Sequence, residues 1–189
     1  MLRNTSSPET YFQSAFRVQS PWTSQAENNK SNIKEIIQPA NYNCPGQLVI
    51  SGEKNAVKTA CEELTKLGAK RAIILPVNGA FHSELMISAA EELEHAINQT
   101  EFNNPICPIY QNVSAQPVVN TDILKRNLIE QLISPVKWNQ TIENMIKNGA
   151  SNFTEIGPGK VLQGLIKKIN PNVTISSFLL YFAVSEKIV

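Results

Sequence analysis

The sequence lacks the features that mark several classes of protein. It has only three cysteines in 189 residues and no C-x-x-C pair, so no disulfide framework is predicted and a reducing compartment, the cytoplasm, is the simplest expectation. Neither sign of charge dominates, because 17 Lys and Arg face 16 Asp and Glu, and we therefore expect no nucleic-acid partner and no anionic membrane surface. No apolar run approaches the ~20 residues of a membrane span. We predict no metal site and no cofactor.

What is present is the composition of a globular protein, with 42% apolar and 17% charged residues. Residues 1–34 differ from the rest, because their two polar tracts, M-L-R-N-T-S-S-P-E-T and T-S-Q-A-E-N-N-K-S-N, show no usable periodicity. The stretch Y-F-Q-S-A-F-R-V between them could form a short strand or helix, but it is isolated. We predict that residues 1–34 form a poorly ordered tail.

The pattern changes after this tail and predicts a small layered unit. Gln47–Ser51 has the composition of a short strand, and Glu53–Leu67 has the apolar spacing of an amphipathic helix. Gly68 is suited to end that helix, and Arg71–Val77 has the composition of a buried strand. With a strand before Gln47, the order strand, strand, helix, strand predicts part of a ferredoxin-like layer that lacks one strand and one helix at its start.

Strands and helices alternate in the second half of the chain, which favours a mostly parallel sheet. Asp122 is the predicted N-cap of one helix, and Thr174–Val184 could be a buried strand. The other predicted elements are helices over residues 83–98, 123–133, 136–148 and 160–169 and a short strand over residues 153–156.

The stretch V-N-G-A-F-H-S-E-L-M at residues 77–86 holds His82, one of only two histidines. It joins a predicted strand to a predicted helix, where α/β proteins often place ligand-binding and catalytic groups. Imidazole is well matched to proton transfer near neutral pH. From spacing alone, an alternative is that His82 only caps the helix or fills a polar gap. His95 lies among glutamates, and we assign it no role.

Four motifs occur in a single order along the chain: N-Y-N-C-P-G-Q-L-V-I-S-G from Asn41, G-A-F-H-S from Gly79, Q-L-I-S-P-V-K-W from Gln131 and E-I-G-P-G-K-V-L from Glu155. In this order and spacing they resemble the C-terminal half of malonyl-CoA:acyl-carrier-protein transacylase, the malonyl-loading enzyme of bacterial-type fatty acid synthesis. The resemblance covers about residues 41–172.

The resemblance implies an α/β protein with a partial acyltransferase fold, that is, a remnant of the parallel-sheet core with a partial ferredoxin-like subdomain. On this basis we expect four segments. They are a non-family tail (1–34), a partial ferredoxin-like small subdomain (35–80), the C-terminal part of the acyltransferase core (81–172) and a non-family C-terminal segment (173–189).

The resemblance also implies roles for individual residues in a Ser/His ping-pong transfer of malonyl from malonyl-CoA to acyl carrier protein. His82 matches the general base, and Gln131 matches the residue whose backbone carbonyl orients the imidazole. Phe81 matches a bulky residue associated with malonyl rather than branched acyl groups. Asn41 and Asn43 match loop positions that face the cleft, although asparagine also favours turns for purely structural reasons.

Parts of the family pattern are missing from this chain. No G-x-S-x-G elbow is present, and neither are the family's N-terminal glutamine loop or the arginine that pairs with the malonyl carboxylate. Ser83 adjoins His82 but is a poor substitute for an elbow serine. We expect a truncated family member that is inactive alone and is completed by a missing N-terminal half. The alternative is a non-catalytic fragment that binds acyl carrier protein or associates with another subunit.

Overall fold

The computed structural model describes the backbone of residues 12–16 and, with side chains, residues 36–77 and 79–178. Its elements in chain order are β1 (Phe12–Phe16), β2 (Ile37–Cys44), β3 (Gln47–Gly52), α1 (Lys54–Lys66), β4 (Ala72–Leu75), a 3-10 turn (Glu84–Met86), α2 (Ile87–Asn98), β5 (Ile109–Tyr110), β6 (Pro117–Val118), α3 (Thr121–Glu130), α4 (Trp138–Lys147), β7 (Asn152–Ile156), α5 (Val161–Ile169) and β8 (Thr174–Phe178).

The first sheet has four strands in the order β2-β3-β1-β4, and all neighbouring strands are antiparallel. Ser14 of β1 is in register with Ile50 of β3 on one side and with Ile74 of β4 on the other. The prediction of a poorly ordered tail is therefore wrong for residues 12–16. These residues form an inner strand because β3 and β4 satisfy both of their hydrogen-bonding edges, which an isolated apolar stretch could not reveal. The other residues of the predicted tail lie outside the described part of the chain.

The sheet and α1 share a small apolar core. Leu48 and Ile50 are buried on β3, and Val57 of α1 is fully buried. The predicted helix and its end are confirmed, since Gly68 has a φ of +95° just after the helix. The predicted strand over residues 71–77 is shorter and less buried than expected. It is the edge strand β4, where Ile74 is 44% exposed.

In the second half, the helices form near their predicted positions, with different ends. The N-cap of α3 is Asn120, whose side chain accepts a hydrogen bond from the Ile123 amide at 3.0 Å, so the prediction of Asp122 is wrong. The helix ends at Glu130, because residues 131–133 form a turn whose carbonyls bond outside the helix.

Parallel pairing is confined, within the described residues, to the strand pair β7 and β8 and to a single bridge between Asn41 and Val136. β8 takes up residues 174–178 of the stretch predicted as a buried strand, but Phe178 at its end is 56% exposed. The strand is therefore confirmed for residues 174–178, but its predicted burial is wrong, because β8 extends β7 at its edge and is not covered on both faces. Residues 179–184 of this stretch lie outside the described part.

The second half docks against the free edge of β2. The Tyr42 amide donates to the Val136 carbonyl at 2.9 Å, and the Val136 amide donates to the Ala40 carbonyl at 2.8 Å. This contact places β2 beside the turn that follows α3. In the described part of the chain, the helices are too short or too polar to cross a membrane.

Candidate active site

His82 lies in the connection between β4 and the 3-10 turn, with a φ of +62°. Few residues other than glycine adopt this left-handed conformation, and they keep it where the surroundings impose it. The amide of His82 donates to the Leu132 carbonyl at 2.9 Å, so the turn after α3 holds the backbone of His82.

The imidazole ring of His82 is held by the same turn. Its Nδ1 lies 2.8 Å from the carbonyl oxygen of Gln131. A carbonyl can only accept, so in the neutral ring Nδ1 carries the proton and Nε2 keeps its lone pair. Nε2 makes no hydrogen bond to any residue that the structure describes, and the ring is partly exposed. This arrangement can accept a proton at Nε2 from a bound group.

The end of α3 adds an electrostatic contribution. Gln131 is the C-cap of this helix, and the carbonyls at a helix C-terminus carry the negative end of the helix dipole. The Gln131 carbonyl therefore directs this end of the dipole at the His82 ring, 2.8 Å from Nδ1. Within the described residues, no group of three or more His, Cys, Asp or Glu side chains could hold a metal ion.

Phe81 precedes His82, and its side chain is 42% exposed. The ring lies across Gly79, because a Cβ added at Gly79 would come within 2.7 Å of the Phe81 Cε2 atom. No real Cβ tolerates that distance, so glycine at position 79 is what lets the aromatic ring occupy this place.

Ser83 is excluded as a nucleophile by its position. It is fully buried (0% exposed), and its hydroxyl donates to the Ala80 carbonyl at 2.6 Å. A buried hydroxyl whose proton is engaged by the backbone cannot reach a substrate. The structure therefore agrees with the expectation that Ser83 does not replace an elbow serine.

Asn41 and Asn43 were expected in a loop, but both lie in β2, so that expectation is wrong. The register of β2 against β3 is irregular between Pro39 and Asn41 and again between Tyr42 and Cys44. Both asparagines are partly exposed, and their side chains have no hydrogen-bond partner among residues 36–77 and 79–178. The structure brings His82 and Gln131 into contact, whereas Asn41 and Asn43 are placed only on the strand that borders them.

The side chain of β2 that reaches the histidine is Gln38, which sequence analysis missed. Its Nε2 donates to the His82 carbonyl at 3.2 Å and to the Ile133 carbonyl at 3.4 Å. Its Oε1 accepts from the Glu84 amide at 3.4 Å. These partners are 44 to 95 residues away in the chain, so no local pattern could indicate them.

Comparison with known proteins identifies the family. The sequence model of the acyl transferase domain matches residues 17–174. The chain belongs to the acyl transferase domain family. The match begins at residue 17, which lies inside the segment predicted as a non-family tail (1–34). The match also ends slightly beyond the predicted boundary at residue 172.

The chain spans about half the length of the curated relatives that it matches. The malonyl CoA-acyl carrier protein transacylase of Staphylococcus aureus strain MSSA476 is 46% identical over 147 residues, which are 78% of this chain and 48% of that protein. The transacylase of Bacillus subtilis strain 168 is 48% identical over 135 residues, which are 71% of this chain and 43% of that protein. The predicted resemblance to this transacylase family is confirmed.

Solved structures of malonyltransferases are similar to this chain in fold, again over about half of their own length. An acyl carrier protein S-malonyltransferase from Vibrio cholerae superposes with a TM-score of 0.85 at 36% identity, covering 92% of this chain and 57% of that one. A malonyl-transacylase solved in complex with a type II PKS acyl-carrier protein superposes with a TM-score of 0.83 at 34% identity, covering 92% of this chain and 56% of that one. The mixed α/β acyltransferase architecture is thereby confirmed.

Proposed function

We propose that this chain is the base-bearing half of a malonyl-CoA:acyl-carrier-protein transacylase and acts when a complementary N-terminal half supplies the nucleophilic serine. The observation that carries the proposal is the 2.8 Å contact between His82 Nδ1 and the Gln131 carbonyl, which leaves Nε2 as the proton acceptor. The family match and the coverage of about half of each named relative support it.

In the proposed reaction, Nε2 of His82 takes the serine proton while the serine oxygen attacks the thioester carbonyl of malonyl-CoA. The imidazolium then returns the proton to the departing CoA sulfur, and malonyl stays on the serine as an ester. In the second half-reaction the phosphopantetheine thiol of acyl carrier protein gives its proton to Nε2 and attacks that ester. The imidazolium finally protonates the released serine.

The remaining site residues take supporting roles in this proposal. Phe81 fills space beside the acyl group and disfavours an α-methyl branch. Asn41 and Asn43, both partly exposed on β2, offer their amide groups toward the cleft. We further propose that the sheet β1–β4 with α1 is a ferredoxin-like small subdomain and that residues 81–178 contribute to the acyltransferase core.

The test combines the purified chain with a separately expressed N-terminal half of the Bacillus subtilis transacylase, malonyl-CoA and holo acyl carrier protein. Formation of malonyl-acyl carrier protein, followed by intact mass, is expected only in the complete mixture. His82→Ala should lower the rate by roughly 10²- to 10⁴-fold. His95→Ala is the matched control, because His95 is exposed on α2 and contacts Gln99. No transfer in the complete mixture, or an equal loss in both variants, would refute the proposal.

A second candidate is a non-catalytic fragment that binds acyl carrier protein or associates with another subunit. Two observations favour it: the sequence has no G-x-S-x-G elbow, and Ser83, the serine next to His82, is buried. Saturable binding of acyl carrier protein without turnover in any mixture would support this candidate, whereas malonyl attached covalently to this chain would exclude it.

A further inference from the structure

Three consecutive carbonyls after α3 point toward His82 and its neighbour Gln38. The Gln131 carbonyl accepts from the His82 ring, and the Leu132 carbonyl accepts from the His82 amide. The Ile133 carbonyl accepts from the Gln38 side chain. The turn therefore fixes His82 at two points, and a third contact fixes the turn to β2.

Gln38 also holds the connection that carries His82. Its side-chain amide donates to the His82 backbone carbonyl and accepts from the Glu84 backbone amide, so it binds the backbone on both sides of Ser83. One side chain thus bonds to the histidine loop and to the turn that orients the imidazole. Both of its polar atoms are used, which a primary amide can do because it carries an acceptor and two donors.

We propose that Gln38 is a positioning residue for His82. The side-chain amide of Gln38 sets the distance between the imidazole and the Gln131 carbonyl and so selects the tautomer with the proton on Nδ1. The inference rests on the proposed function for its catalytic meaning. The contacts of Gln38 with the histidine loop and with the turn after α3 are made within this chain alone. A left-handed histidine needs outside support, and Gln38 supplies the side-chain part of that support.

The β2–β3 hairpin offers a matched control for Gln38. Gln47 is also a partly buried glutamine, but its Oε1 faces the Cys44 sulfur at 3.7 Å and not the histidine loop. Replacing either glutamine by methionine keeps the length of the side chain and removes its hydrogen bonds. Only the change at Gln38 should alter the imidazole.

The direct test is ¹⁵N NMR of the ring nitrogens in the full chain, without any partner half or substrate. Only two histidines are present, so His95→Ala assigns the His82 signals unambiguously. In the parent chain the spectrum should show the proton on Nδ1. Gln38→Met should shift the signals toward a mixture of tautomers, and Gln47→Met should leave them in place. Unchanged tautomers in Gln38→Met would overturn the proposal.

A second variant keeps the test decisive if Gln38→Met does not fold. Gln38→Glu retains an acceptor for the Glu84 amide but loses both donors, so it should change the tautomer as well. An Nδ1–H signal retained in this variant would equally overturn the proposal.

In the completed enzyme, Gln38→Met should lower kcat roughly 10- to 100-fold with KM nearly unchanged, because a misplaced base slows chemistry more than binding. An unchanged kcat would remove the catalytic meaning of Gln38. If even the parent mixture is inactive, the proposed function fails, whereas the NMR result still decides whether Gln38 positions His82.

Discussion

His82 is restrained at its imidazole ring, its backbone amide and its backbone carbonyl by three different groups. The Gln131 carbonyl, the Leu132 carbonyl and the Gln38 side chain each take one of these contacts. A base restrained in this way loses little freedom when a substrate arrives, so the arrangement suits proton transfer better than a freely rotating surface histidine would.

At the residue scale, Phe81 allows a prediction about the acyl group. In the completed enzyme, Phe81→Ser should raise kcat/KM for methylmalonyl-CoA relative to malonyl-CoA by roughly 10- to 200-fold, because the space for one α-methyl is worth about 1–3 kcal/mol. Competition between the two thioesters, followed by mass spectrometry of acyl carrier protein, measures the ratio. A ratio equal to that of the parent enzyme would show that Phe81 does not line the acyl site.

Ser83 leads to a prediction about stability. Ser83→Ala removes the donor from the buried Ala80 carbonyl and should lower the free energy of unfolding by about 1–2 kcal/mol. Ser88→Ala, at an exposed position of α2, should change it by less than about 0.5 kcal/mol. Urea denaturation of the two variants makes the comparison. Equal stabilities would mean that the Ser83 hydroxyl is not needed in the fold.

The sequence was sufficient to propose His82, Gln131 and Phe81 as candidates, because each lies in a contiguous motif that resembles the family, and the structure brings His82 and Gln131 into contact. Gln38 could not be found in this way, since its role depends on contacts with residues 84 and 133 that only the folded chain brings close. The left-handed conformation of His82 was also invisible, because nothing in the letters around it demands a positive φ.

At the scale of elements, helices were predicted better than strands. An amphipathic period marks a helix locally, as it did for α1 and α5, but a strand depends on its neighbours in the sheet. β1 illustrates this dependence, because its five residues become an inner strand only through β3 and β4. The predicted end of α3 was too late because tertiary hydrogen bonds to residues 131–133 replaced the continuation of the helix. The predicted end of β4 was too late because a local bond from the Val77 amide to the Leu75 carbonyl, at 2.9 Å, turns the chain there.

The N-terminus of α5 is capped by a side chain from another element, which allows a prediction about stability. Lys160 gives this helix no side-chain cap, and Glu155 of β7 accepts instead from the Leu162 amide at 3.2 Å and the Gln163 amide at 3.3 Å. Glu155→Ala should therefore lower the free energy of unfolding by about 1–2 kcal/mol. Glu94→Ala, at an exposed position of α2, is the control. Thermal unfolding that gives equal losses for both variants would contradict the capping role.

At the scale of the whole molecule, the pair β7–β8 is half covered. α5 packs on one face, where Glu155 binds its N-terminus. The opposite face carries Ile156 and Phe178, which are partners in the strand register and are 68% and 56% exposed. Parallel sheets are normally covered on both faces, so two neighbouring apolar side chains in solvent indicate a surface that another part of the fold covers.

We expect that the complementary N-terminal half covers this face when the transacylase is assembled. Ile156→Asp should weaken association of the two halves at least about 10-fold, because it removes roughly 1.5–3 kcal/mol of apolar burial and places a charge in the contact. The chain itself should melt at nearly the same temperature, since Ile156 is largely exposed. Leu67→Asp, at an exposed position after α1, should leave association unchanged. Sedimentation equilibrium of the mixtures measures the association of the parent chain and of the two variants. Equal weakening by both substitutions, or none by Ile156→Asp, would place the contact elsewhere on the molecule.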